Sequence, residues 1–136
     1  MRSVIQQSIV LPAPAESLFE MYLDAAAHSA FTGYPVAISP EPGAAFHAFN
    51  KQISGQILAT VRPYLIVQSW RSVKFHDDDA DSTLILKFTS EPNSAQHGRI
   101  DLVHLDVPEH DYQDVIKGWE THYWNPWRTY LENQVT

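Results

Sequence analysis

The chain has 136 residues, 44% of them hydrophobic and 12% aromatic, with a formal net charge of −7. That length and apolar content suit one compact domain over residues 1–136 and exclude general disorder. The absence of cysteine excludes a disulfide scaffold, a thiolate metal site and a cysteine nucleophile, and an acidic chain without a Lys/Arg run argues against a nucleic-acid partner.

Residues 3–11 place Ile5, Ile9 and Leu11 on one side and Gln6 and Ser8 on the other, which predicts a strand with one buried face. Pro12 to Glu16 stop that strand and open a helix. Pro14 suits the first helical position and Glu16 the positive end of the helix dipole. Leu18, Phe19, Tyr22 and Leu23 continue at helical spacing, residues 25–28 extend or restart the helix, and Gly33 ends it. From residue 36 the apolar period becomes two, predicting strands at 36–39, 45–50, 52–61, 65–73, 83–89 and 99–107. The breaks between them carry Pro, Gly, Asn and Asp, so the strands read as an antiparallel meander. A last helix is predicted over 112–132, with Val115, Trp119, His122, Tyr123, Trp127 and Tyr130 on one stripe and a kink at Pro126. The N-terminus turns polar too soon for a signal peptide, and no run of about 18 apolar residues is present. A soluble cytoplasmic protein without a membrane span is expected.

The fold class is therefore α+β. An antiparallel sheet of about six to seven strands is covered by a long C-terminal helix, with two short helices after the first strand. The order of the elements and several local words resemble a known family. Those words are Pro12-Ala13-Pro14-Ala15-Glu16-Ser17-Leu18-Phe19, Phe31-Thr32-Gly33, Ile53-Ser54-Gly55-Gln56 and Ile66 to Arg71. Asp24 to His28, Ile38-Ser39 through Gly43 with Phe46, Pro63, Leu102-Val103-His104, Val107-Pro108, Gly118-Trp119-Glu120, Tyr123-Trp124 and Pro126-Trp127 to Leu131 complete the set. Together they are similar to the helix-grip fold of the START/Bet v 1-like (SRPBCC) superfamily, in its branch of activator of heat-shock-protein-90 ATPase homologues. The resemblance implies a curved antiparallel sheet wrapped around the long C-terminal helix, often with a cavity between them. It implies no single activity, because the superfamily holds lipid carriers, hormone binders, cyclases and co-chaperone domains. The Ala44-Ala45 pair, where relatives often carry a further glycine, and the acidic loop 76–81 depart from the pattern.

Strand alternation with Ile100 and Leu102 turns His104 inward, and His122 lies three residues after Trp119 on one helix face. Imidazoles so placed would serve as proton donor or base, or would simply satisfy backbone groups. Phe31, Trp70, Trp119, Tyr123 and Trp127 would line an apolar pocket or fill the core; in a helix grip the two surfaces coincide. The expected ligand-binding set is Phe31, Trp70, Leu102, His104, Trp119, His122, Tyr123 and Trp127. The seven histidines show no metal-ligand spacing. Read as a calcium loop from Asp77, the acidic run puts Ser82 where glycine is required and Phe88 where the chelating glutamate belongs. Neither a metal nor a cofactor is expected, and no nucleophile elbow or phosphate loop is present.

Binding of a small, mostly apolar ligand between sheet and last helix, as a carrier or sensor, is the leading functional expectation. The alternatives are a cyclase- or hydrolase-type enzyme using His104 and His122 as general acid and base, and a chaperone-interacting protein. An uncovered sheet edge would leave room for a homodimer.

Overall fold

The computed structural model describes residues 2–134. Strand β1 (Arg2–Leu11) is followed by helices α1 (Ala15–Leu23) and α2 (Ala25–Thr32), then by β2 (Ala45–Ala48), β3 (Ile53–Val61), β4 (Leu65–Ser72), β5 (Ser82–Glu91) and β6 (Ser94–Pro108). A 3-10 turn (Glu109–Asp111) leads into α3 (Tyr112–Gly118), a π-helical segment (Trp119–Trp124) and α4 (Asn125–Gln134). The six strands form one curved antiparallel sheet in the order β1-β6-β5-β4-β3-β2, so β1 and β2 are its edges.

Register explains which residues share the inner face. Gln68 pairs with Leu84, Leu84 with His104, and His104 with Ile5, making one row across four strands. All four side chains in that row are buried. Period-two alternation is visible along β4, where Ile66, Gln68, Trp70 and Ser72 are buried and their neighbours are not. Helix α1 packs on β5 and β6 through Leu18 and Phe19, and α2 packs on α4. Asp24 caps α2 by accepting from the Ala27 N–H at 2.8 Å, and Gly33 closes that helix at φ 83°.

Gly98 sits where the start of α1 crosses β6. A Cβ there would lie 2.8 Å from the Ala15 backbone, which cannot retreat as a side chain would. Gly98→Ala is expected to cost about 1–3 kcal/mol by overpacking, read as a lower denaturant midpoint at unchanged slope.

Beyond β6, which begins at Ser94 and not at residue 99, three expected elements differ. Residues 36–39 form only an isolated bridge, Ala37 to His47, because Pro35 and Pro40 flank the segment and remove ladder donors. Strand β2 ends at Ala48, not at residue 50, since Phe49, Asn50 and Lys51 all take left-handed conformations with φ of 53°, 55° and 68°. The last helix is not simply kinked at Pro126. It opens one turn earlier into the π segment, where the Asn125 N–H bonds the Glu120 carbonyl five residues back. A widened turn accommodates a proline that can neither donate nor tolerate the usual carbonyl beneath its ring. The extra residue also lets Trp119, Tyr123, Trp124 and Trp127 all face inward.

Candidate functional site

A groove of about 570 Å³ opens between the last helix and the end of the sheet formed by the β2–β3 turn and β4. Its volume falls within the range of small-molecule sites, roughly 300–1,000 Å³. Trp70, Trp119 and Tyr123 form its floor, and Phe49, Ile53 and Val115 contribute apolar wall. Lys74, Asp114, Lys117 and His122 supply polar and charged groups at the margin. The floor rings are mutually packed, Trp119 to Tyr123 at 4.7 Å and Trp70 to Trp119 at 6.2 Å between centroids. Phe49 leans on Tyr123 edge-to-face at 5.5 Å, held there by the left-handed turn.

Two buried histidines fix these rings from below. The Tyr123 hydroxyl and His28 Nε2 are 2.9 Å apart, while His28 Nδ1 lies 2.7 Å from the Tyr22 carbonyl. A carbonyl only accepts, so Nδ1 carries the proton and Nε2 accepts from the tyrosine. On the other side, Trp119 Nε1–H donates to His104 Nδ1 at 3.2 Å. An indole only donates, so His104 holds its proton on Nε2 and gives it to Ser82 Oγ at 2.8 Å. Ser82 then donates to the Trp70 carbonyl at 2.6 Å. Trp119 and Tyr123 are thus tied by their ring polar atoms to buried networks that narrow their orientation, and Trp70 joins through its backbone carbonyl with its ring edge-on to His104 at 4.7 Å.

Burial pushes both imidazoles down, His28 to about 4 and His104 to about 3. They are neutral at physiological pH. Burial also drives the hydroxyls of Tyr22 and Tyr123 upward, so both stay protonated donors. At the groove's end Asp111 is buried, and desolvation raises its carboxyl above the usual range against the opposing pull of Lys74.

Of the eight residues expected at the site, the structure brings Trp70, Trp119, His122 and Tyr123 to the groove. Phe31 and Trp127 lie deeper, stacked on each other at 4.1 Å and 4°. Leu102 is buried within the same core. His104 faces inward as alternation requires, but it is sealed beneath Trp119 with both ring nitrogens engaged. His122 is exposed on the rim beside Phe49, 5.6 Å away, so the two imidazoles do not form one acid–base pair. The sequence reading missed His28, Ser82, Asp111 and Phe49. His28 meets Tyr123 across 95 residues, a separation that local spacing cannot reveal. A cluster that no spacing rule shows also forms outside the groove, where ligand-type atoms of His76, Asp79 and His110 lie within 4.8 Å of one another.

Among the described residues no helix is long and apolar enough to cross a membrane. No curated protein sequence is significantly similar to the chain. Several solved structures share its fold. The chain is similar to PFC0360w, an HSP90 activator from Plasmodium falciparum, at 21% identity over 88% of this chain and 89% of that one, with a TM-score of 0.78. It is similar to MLL2253 from Mesorhizobium loti at 13% identity over 98% of this chain and 100% of that one, TM-score 0.82. Ara h 8.0201 superimposes at 13% identity over 98% of this chain and 99% of that one, TM-score 0.73. Residues 12–132 match the family described as "Activator of Hsp90 ATPase homolog 1-like protein", and the chain belongs to that family.

Proposed function

We propose that the protein binds one small, flat, mostly apolar molecule in the groove between the sheet and the last helix, as a carrier or sensor. The observation that carries this reading is an open groove floored by the buried rings of Trp70, Trp119 and Tyr123, two of which, Trp119 and Tyr123, are tethered by buried side-chain hydrogen bonds. A floor held in place loses little conformational entropy when a ligand stacks on it. Burying about 200 Å² of apolar ligand surface would give roughly 5 kcal/mol before association entropy is charged. At the margin Lys74 is paired with Asp114 at 3.5 Å, and Lys117 offers a cation to an anionic or hydrogen-accepting end of the ligand. The reading gives His28 and His104 a positioning role, since neither presents a free nitrogen to the groove.

Anilinonaphthalene sulfonate has this shape and charge and serves as the probe. Its emission should rise on binding, with quenching of tryptophan fluorescence at one site per chain. Val115→Trp fills the wall without touching the histidine networks and should weaken the probe at least about tenfold, a loss of about 1.4 kcal/mol. Native mass spectrometry of the purified protein would then identify any natural passenger. A groove that takes neither probe nor passenger would overturn the carrier reading. The chaperone-directed role carried by the family's name would take its place, and retention of Hsp90 by the immobilised protein would test that role.

A further inference from the structure

We propose that His76, Asp79 and His110 form a binding site for a divalent transition cation of zinc's class. His76 and Asp79 lie in the loop between β4 and β5, and His110 lies in the 3-10 turn before α3. The ligand atoms of all three lie within 4.8 Å of one another. His110 Nε2 is 3.0 Å and His76 Nδ1 is 4.0 Å from the same Asp79 oxygen, Oδ2. Around a tetrahedral ion with ligand bonds near 2.0–2.1 Å, neighbouring donors stand about 3.3 Å apart. The observed separations bracket that value. In the present arrangement His110 Nε2 and Asp79 Oδ2 share a hydrogen bond; a cation would take its place with a small widening of the gap, the ligating imidazole then carrying its proton on Nδ1. The His76 ring, now stacked on His110 at 3.8 Å and 7°, must tilt to aim its lone pair at the same point. It is well exposed and free to do so.

The loop that carries two of the donors is already locked. Arg71 donates to the backbone carbonyls of His76 and Asp79, each at 2.7 Å, and to Asp81 at 3.1 Å. The His76 N–H donates to Asp79 Oδ2 at 2.8 Å, and the Asp79 N–H to the His76 carbonyl at 2.9 Å. The cation therefore meets donors whose backbone has largely been ordered beforehand. Two imidazoles and one carboxylate suit Zn²⁺, Co²⁺, Ni²⁺ or Cu²⁺ better than Mg²⁺ or Ca²⁺, which require more oxygens. Asp77 and Asp78 in the same loop add a negative field that concentrates cations. Three protein donors leave a fourth position for water or a small ligand. Bound there, the ion would staple the β4–β5 loop to the turn whose last residue, Asp111, closes the end of the groove.

Isothermal titration of Zn²⁺ into the chelator-treated full chain, in a non-coordinating buffer, tests the site. One ion per chain is expected at a Kd tighter than about 100 µM, weakened at least about tenfold by His110→Ala and by Asp79→Asn. His97→Ala, in the β5–β6 hairpin, should leave it unchanged. Zn²⁺ should raise the unfolding temperature of the parent and of His97→Ala but not of His110→Ala, and circular dichroism would show that each variant is folded. Weaker binding, or binding that His110→Ala leaves within about twofold, would mean an adventitious ion only and would overturn the proposal.

Discussion

Stability towards denaturant is expected to fall steeply as pH drops from about 6.5 to about 4. In the unfolded chain both buried histidines take a proton near the ordinary value of 6.5, whereas burial holds His28 at about 4 and His104 at about 3 in the folded protein. Between those values the unfolded state binds more protons, so unfolding free energy rises with pH through the window and is level above it. Each histidine then removes up to about 1.4 kcal/mol per pH unit, or about 3 kcal/mol apiece by pH 4. Together that rivals the whole stability of a small domain, about 5–15 kcal/mol. The two differ in how they resist. Protonated His28 could be accommodated if the Tyr123 hydroxyl reversed from donor to acceptor, whereas protonated His104 would set its Nδ1–H against an indole N–H that cannot reverse.

Denaturant titrations across that range check the expectation. His28→Gln keeps an acceptor for the Tyr123 hydroxyl and removes one titrating ring. The slope should fall to about half, with a loss of about 1–3 kcal/mol at neutral pH from the unpaired Tyr22 carbonyl. An unchanged slope would mean that His28 is not the neutral, buried group described here. Because the same rings hold the groove floor, probe affinity should decline over the same window.

Elements with strong local periodicity are legible in the sequence. In β6, Ile100, Leu102 and His104 are all buried as alternation requires. In α1, Leu18, Phe19, Tyr22 and Leu23 form the buried stripe expected from their spacing. Failures cluster where long-range packing or an unusual turn overrides local pattern. Phe49 looks like the end of a strand, but the left-handed run at 49–51 detaches it from β2 and delivers its ring to the groove. Pro126 announces a disturbance in the last helix, yet only the structure shows it absorbed as a π turn upstream. The stripe of the last helix was readable, but not its division. Trp119 and Tyr123 reach the groove, whereas Trp127 is directed at Phe31, and that depends on where α2 packs. His76 and His110 illustrate the limit most clearly. Each is an isolated exposed histidine in sequence, and only the return of the chain after β6 stacks one on the other.

Trp127→Ala should lower stability by about 3–5 kcal/mol, the range for truncating a large buried aromatic. Trp127 is fully buried, and its ring stacks on Phe31, which in turn stacks near His28 at 5.0 Å. The cavity would therefore open beside the histidine that steadies Tyr123, and probe binding should weaken along with the fold. Trp127→Phe separates the two contributions. Among the described residues Trp127 Nε1 meets no acceptor, so the wild-type ring carries the cost of an unpaired buried N–H. Replacing it with phenylalanine loses about 1–2 kcal/mol of packing but relieves about 1–3 kcal/mol of unsatisfied polarity. The net change should lie between a loss of about 1 kcal/mol and a gain of about 2 kcal/mol, since the two effects oppose each other. Chemical denaturation of both variants decides the matter. A Trp127→Phe loss approaching that of Trp127→Ala would show that the indole N–H has a partner, and that this end of the core is anchored by a hydrogen bond as the groove floor is.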